Sequence, residues 1–174
     1  MPEPSSHRTA IRSDLAQIVE IYNSTIPSRI VTADTEPVSV ESRVHWFEEH
    51  TPDRRPLWVI ESAGRVAAWL SFSNFYGRPA YAKTTEVSVY VHEAFRKRGF
   101  GSYLLAQALA HAPTLGVDTL LGFIFGQNEP SLALFQRFGF ERWGKLPKVA
   151  LLDGVERDLI ILGRRVADTT VQPR

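Results

Sequence analysis

Residues 85–112 read TEVSVYVHEAFRKRGFGSYLLAQALAHA, and the spacing of their apolar residues changes part-way along. Val87, Val89 and Val91 alternate with Glu86, Ser88 and Tyr90, the period-2 pattern of a strand with two unlike faces. From Gly101 onward Leu104, Leu105, Ala108, Leu109 and Ala112 recur three and four residues apart and form one apolar stripe on a helix. Between the two lies the basic, glycine-bearing loop Arg96-Lys97-Arg98-Gly99-Phe100-Gly101-Ser102.

The chemistry of the loop follows from its position. The first turn of a helix has backbone N–H groups without intrahelical partners, and the helix dipole adds positive potential there. Gly99 and Gly101 permit close approach to the main chain, while Arg96, Lys97 and Arg98 add mobile positive charge. Together these features suit a pyrophosphate. A basic turn capping a surface helix is the plainer reading, but strand, glycine pair and helix all agree with anion binding. A Walker-type loop ends in Gly-Lys-Ser/Thr, and this one reads Gly-Phe-Gly-Ser. A dinucleotide fingerprint needs a third glycine where this chain has Leu104. The order Arg-x-x-Gly-x-Gly after a strand resembles the acetyl-CoA pyrophosphate loop of the GNAT acyltransferase superfamily, with Arg96, Gly99 and Gly101 in its three defining positions.

Composition narrows the class further. At 174 residues the chain has the size of one domain able to bury a sizeable core. A formal net charge of +1 excludes nucleic-acid binding by bulk electrostatics. The absence of cysteine excludes disulfides, thiolate metal sites and a cysteine-borne acyl intermediate, and fits a reducing compartment. No apolar run reaches the length of a bilayer span, and Met1-Pro2-Glu3-Pro4 does not open a signal peptide, so the expected location is the cytoplasm. The five histidines show no metal-ligand spacing, and no metal is expected.

In chain order, residues 1–8 read as a flexible arm, 9–166 as the catalytic domain and 167–174 as a flexible tail. Thr9–Arg12 suits a short strand, and Ser13 suits the cap of a helix carrying Leu15, Ile18, Val19 and Tyr22. Residues 23–38 form a long irregular connection of the kind that borders a site, and Ser39 caps a second helix. Leu57–Glu61 and Val66–Phe72 form a hairpin around Ser62-Ala63-Gly64-Arg65. After the strand, loop and helix of 85–112, Gly116 ends the helix. Val117–Phe125 is then an apolar strand, Asn128 caps a helix with Pro130 in its first turn, and Asp153-Gly154 turns a final hairpin. The expectation is a mixed α/β fold, β-α-α-β-β-β-α-β-α-β-β, with helices on both faces of a central sheet.

That order is also that of the GNAT fold, so the resemblance covers about residues 9–166. The superfamily's second motif is similar to Asn128-x-x-Ser131 followed by Leu134-Phe135 and Phe138-Gly139-Phe140. Within the superfamily the chain resembles phosphinothricin and methionine-sulfoximine N-acetyltransferases. The carriers are Tyr22-Asn23, Asp34-Thr35-Glu36-Pro37, Arg78-Pro79-Ala80-Tyr81 and Glu86-Val87-Ser88-Val89-Tyr90-Val91.

The resemblance implies a direct acetyl transfer from acetyl-CoA to an amine, which needs a base, a donor for the developing oxyanion and stabilisation of the leaving thiolate. Glu86 takes the position of the catalytic glutamate, against the plainer reading of a surface residue paired with Lys83 or Arg98. The main chain of Val89, Tyr90 and Val91 pairs with the pantetheine arm as an added strand would. Asn128 and Ser131 contact the cofactor, or simply cap their helix. Where the superfamily often places a tyrosine as acid, this chain has Phe135, for which core packing is the stronger reading. Arg78 and Tyr81 hold a substrate carboxylate, or lie solvated on a loop. Phe72 and Phe75 wall the acceptor pocket, or fill the core. Trp58, Trp69 and Phe100 read as core or dimer contacts, and a homodimer is the expectation the resemblance brings. Two other functions fit the same motifs, an acetyltransferase of protein N-termini and a non-catalytic acyl-CoA-binding module.

Overall fold

The computed structural model describes residues 6–167. Along the chain run β1 (Arg8–Thr9), α1 (Leu15–Thr25), α2 (Val44–Glu48), β2 (Leu57–Ser62), β3 (Arg65–Asn74) and β4 (Thr84–Val91). They are followed by α3 (Phe100–His111), β5 (Thr119–Phe125), α4 (Glu129–Arg137), β6 (Glu141–Leu152) and β7 (Val155–Arg165). Type and order of the elements match the sequence reading. The strands form a single seven-stranded sheet in the order β1-β2-β3-β4-β5-β7-β6, with β4 and β5 parallel and every other pairing antiparallel.

Alternation along each strand divides the core into two layers. Ala68, Leu70, Phe72 and Val87 face α3 and α4, where they meet Leu104, Leu105, Ala108 and Phe135. The opposite face turns Val59, Val66 and Trp69 toward Ile18 and Ile21 of α1, with Trp46 and Phe47 of α2 packed alongside. Each fully buried Leu, Ile or Phe among these contributes about 1.5–3 kcal/mol relative to exposure, so the two layers hold α1 and α3 against opposite sides of β3 and β4.

Local chemistry sets the element ends, in several places differently from expectation. The first strand is only Arg8–Thr9. The turn before α1 is closed by Asp14, whose carboxylate accepts the Ile11 N–H at 2.7 Å and two bonds from Arg8 at 2.7 and 3.0 Å; Ser13 does not cap it. The arm anticipated over residues 1–8 is held at its end, with His7 tilted over Trp58 at 4.4 Å and Arg8 also bonded to Glu61; residues 1–5 and 168–174, and with them most of that arm and of the tail, lie outside the described residues. Ser39 accepts the Ser42 N–H at 3.1 Å ahead of the 3-10 turn Glu41–Arg43 that leads into α2, so it does not cap α2 itself, whereas Asn128 caps α4, accepting the Ser131 N–H at 3.3 Å. Asp153 and Gly154 both take the left-handed conformation of a two-residue hairpin turn.

Candidate active site

The pairing of β4 with β5 stops early. Thr84, Thr85 and Glu86 pair with Thr119, Leu120 and Leu121, after which β4 continues to Val91 and β5 to Phe125 without pairing. Backbone polar groups of a strand point alternately to its two neighbours. His92 donates to Ala67 on the β3 side, whereas Lys83 accepts from Asp118 and Thr119 on the β5 side. By that alternation the C=O of Val87 and the N–H and C=O groups of Val89 and Val91 face the opening between β4 and β5, the Val87 N–H closing the ladder at Leu121, while the groups of Tyr90 face β3. Tyr90 therefore does not offer its main chain to the opening, contrary to expectation.

The basic loop closes the end of this opening. Gly99 precedes α3 at a φ of 84°, a left-handed conformation that a side chain would strain, and no side chain caps the helix. The N–H groups of Phe100, Gly101 and Ser102 are the first of α3 and have no partner one turn back, since the helical ladder begins with Tyr103 donating to Gly99 at 2.9 Å. Arg96, Lys97 and Arg98 are exposed and pair with no carboxylate among the described residues, Arg98 resting over the Phe95 ring at 5.1 Å. The Phe100 side chain turns into the core, so its contribution here is main-chain only. Gly101 faces Val89, Val91 and Leu134. Asn128 is buried with its side-chain oxygen engaged in the cap, and Ser131 is half-buried beside it. Phe135 packs on Gly122 and Phe140, in agreement with the core reading. Unpaired strand groups, free helical N–H groups and unneutralised cations together fit an acyl-CoA cofactor.

On the opposite face of the same strands lies a cavity of about 200 Å³. Glu86, Ser88 and Tyr90 of β4 form its floor with Trp69, Ser71 and Ser73, which oppose them on β3. Ile18, Val19 and Tyr22 of α1 form one wall, and Val38, Arg43 and Trp46 close it. Glu86 has no hydrogen-bond or ion-pair partner among the described residues, and burial raises its pKa above the ordinary carboxyl value. Burial also pushes the Tyr90 phenol well above its usual range, reinforced by Tyr22 and Glu86 and opposed by Arg43. The Tyr90 ring stacks on Trp69 at 4.4 Å and meets Tyr22 at 5.5 Å. Burial raises Tyr22 as well, and its hydroxyl bonds Asp34 and Thr32. Asn23 clamps the long loop to α1, its amide donating to Val38 O and accepting from Val38 N–H at 2.9 Å each.

Three substrate-pocket expectations are corrected here. Phe72 is fully buried and opposes Val87, on the sheet face turned away from Glu86, because it is one residue out of phase with Ser71 and Ser73. Phe75 packs against Tyr76, Tyr81 and Phe123 outside the cavity lining. Arg78 and Tyr81 are exposed on the β3–β4 connection, whose ends are fastened by the buried Arg55 bonding Asn74 and Ala82 at 2.8 Å each; neither reaches the cavity. Arg43 is the cation that does. Ser71, Ser73 and Ser88 were legible from strand alternation once Glu86 was placed; Arg43 had no local signal.

The profile of the Acetyltransferase (GNAT) family matches residues 15–140. The chain belongs to that family. YwnH of Bacillus subtilis strain 168, which carries phosphinothricin acetyltransferase as a provisional name, is 57% identical, over 92% of this chain and 98% of its own. The L-methionine sulfoximine/L-methionine sulfone acetyltransferase of Salmonella typhimurium is 30% identical, over 89% of this chain and 91% of its own. A crystal structure of a phosphinothricin acetyltransferase from Sinorhizobium meliloti in complex with acetyl-CoA superposes with a TM-score of 0.90 at 26% identity, covering 99% of this GNAT chain and 93% of that one. Acetyl-CoA is thus the acyl donor.

Proposed function

We propose that this acetyltransferase moves the acetyl group of acetyl-CoA onto the primary amine of a small amino-acid-like acceptor of the phosphinothricin or methionine-sulfoximine type. The observation that carries the reading is a small cavity, with the half-buried Glu86, unpartnered among the described residues, in its floor, backing onto the strand whose far edge opens toward β5. The names of the relatives supply the acceptor class.

In this account the N–H groups at the start of α3, with Arg96, Lys97 and Arg98, hold the pyrophosphate. The outward-facing groups of Val89 and Val91 hold the pantetheine arm, and an N–H of that strand edge polarises the acetyl carbonyl. Glu86 removes the proton from the amine, directly or through one water, so that a lone pair attacks the thioester. No covalent enzyme intermediate forms, in line with a chain that contains no cysteine. The same reading includes a homodimer, for which the exposed Trp143, Leu146, Val149 and Leu151 of β6 offer apolar surface, and residence in the cytoplasm, where the donor is held.

Glu86→Gln tests the reading. General-base catalysis contributes about 10²–10⁴-fold, so turnover falls by that order while acetyl-CoA affinity is retained. Unchanged turnover removes Glu86 as the base.

A further inference from the structure

We propose that Arg43 is the receptor for the acceptor's carboxylate, held in place by Asp34 and by the ring of Tyr22. The inference rests on the amino-acid N-acetyltransferase reading above and assigns the group that recognises the part of the substrate that does not react. Among the described residues, Arg43 is the one lysine or arginine that lines the cavity. Its Nη2 donates to Asp34 Oδ2 at 3.1 Å, and its guanidinium carbon lies 5.1 Å from the centre of the Tyr22 ring. Tyr22 in turn bonds the same Asp34 carboxylate, so ring and carboxylate fix the guanidinium from two sides. The rest of the guanidinium donates to no acceptor among the described residues. Arginine presents five N–H donors in a rigid fork that matches a carboxylate two bonds at a time.

Placement agrees with the chemistry. Tyr90 lies between the two charged groups of the cavity: its ring meets Tyr22, beneath Arg43, and Glu86 lies four residues back along the same strand face. An amino acid lying across Ser88 would turn its amine toward Glu86 and the acyl donor and its carboxylate toward Arg43. The stacked rings of Trp69 and Tyr90 in the floor lower the local dielectric beside the cavity, which strengthens a charged contact. Exposed Arg78, the alternative carboxylate partner, lies outside this enclosure.

The test compares L-methionine sulfone with its primary amide, which keeps the amine and side chain and removes the negative charge. Wild type favours the acid in kcat/KM. Arg43→Gln raises KM for the acid by about tenfold to a hundredfold, the worth of a charge-assisted hydrogen bond, and brings the acid-to-amide ratio toward one. KM for acetyl-CoA and the melting temperature stay at the wild-type values. Arg43→Lys keeps the charge without the fork and falls between; it carries the test if Arg43→Gln does not fold. A ratio unchanged in both variants overturns the assignment while leaving the enzyme reading intact, as does a ratio that collapses in Arg78→Gln instead. Wild type that acetylates neither the acid nor the amide, nor any other small amine, overturns the function itself and Arg43's role with it.

Discussion

Replacing Gly101, the second residue of α3, separates folding from donor binding. A Cβ there would lie 3.5 Å from Leu134 Cδ2, 3.7 Å from Val91 Cγ2 and 3.8 Å from Val89 Cγ1, all ordinary van der Waals contacts. Alanine therefore meets no clash, and relieving a helical glycine gains about 0.5–1 kcal/mol. In a chain of this size that gain corresponds to a rise of roughly 1–4 °C in Tm. The same methyl group points toward Val89 and Val91, and in the proposed placement of the donor it crowds the approach of the pyrophosphate to the N–H groups of the first turn. Losing one charge-assisted hydrogen bond weakens acetyl-CoA binding by about tenfold to a hundredfold. Gly101→Trp fills the space and abolishes binding. Thermal melts without ligand, paired with calorimetric titration of acetyl-CoA, read both quantities. A folded tryptophan variant that binds acetyl-CoA like wild type refutes the placement of the donor, and a lower Tm for Gly101→Ala refutes the packing argument.

As the proposed base Glu86 must be ionised to act, and burial raises its pKa above the usual 4.5, so kcat/KM is expected to fall with decreasing pH along a limb displaced upward from that of free glutamate. Stability moves the other way: a raised folded-state pKa favours the fold at low pH and loses that advantage as pH rises, so Glu86→Gln melts higher than wild type above the limb and not below it. Gly122→Ala puts a Cβ 2.7 Å from the buried ring of Phe135 and should cost about 1–3 kcal/mol in urea unfolding. Gly163→Ala meets Trp143, which is 46% exposed and free to swing away, and costs less despite a closer nominal contact. Burial alone would raise the Asp14 carboxyl, but the bonds from Arg8 and the Ile11 N–H hold it below its usual value. Asp14→Asn therefore loses about 1–3 kcal/mol at neutral pH, and the difference from wild type shrinks as acid protonates the carboxylate.

Period and punctuation carried most of the fold in the sequence. The valines of β4, the leucine stripe of α3 and the turn residues Asp153 and Gly154 each encode one element locally, so all eleven elements could be placed in order. Element lengths were less legible. A 3-10 turn at Glu41–Arg43 takes up the start of the second helix, and β6 spans Glu141–Leu152 with its pairing to β7 interrupted between Leu146 and Ala150, where Pro147 sits, an irregularity that edge strands tolerate. The proposed donor side of the site was legible because one contiguous motif supplies its residues. The acceptor side was not, since α1, the long loop, α2, β3 and β4 build it together. Phe72 was misread because one residue of phase decides which face of β3 it occupies, and Arg78 because proximity along the chain to Glu86 does not carry its side chain across the Phe75–Tyr81 aromatic cluster. Arg43 enters the cavity only through the loop that Asn23 and Asp34 fix, a tertiary event without a local signature.

The most direct test of the account is thiol release from acetyl-CoA across a panel of amines. The panel includes phosphinothricin, L-methionine sulfoximine, common amino acids, polyamines and short peptides. Saturable release confined to small amines that carry a carboxylate, and lost in Glu86→Gln, is the predicted result. Turnover of peptides in preference to small amines, or acetyl-CoA binding without turnover of any amine, contradicts it.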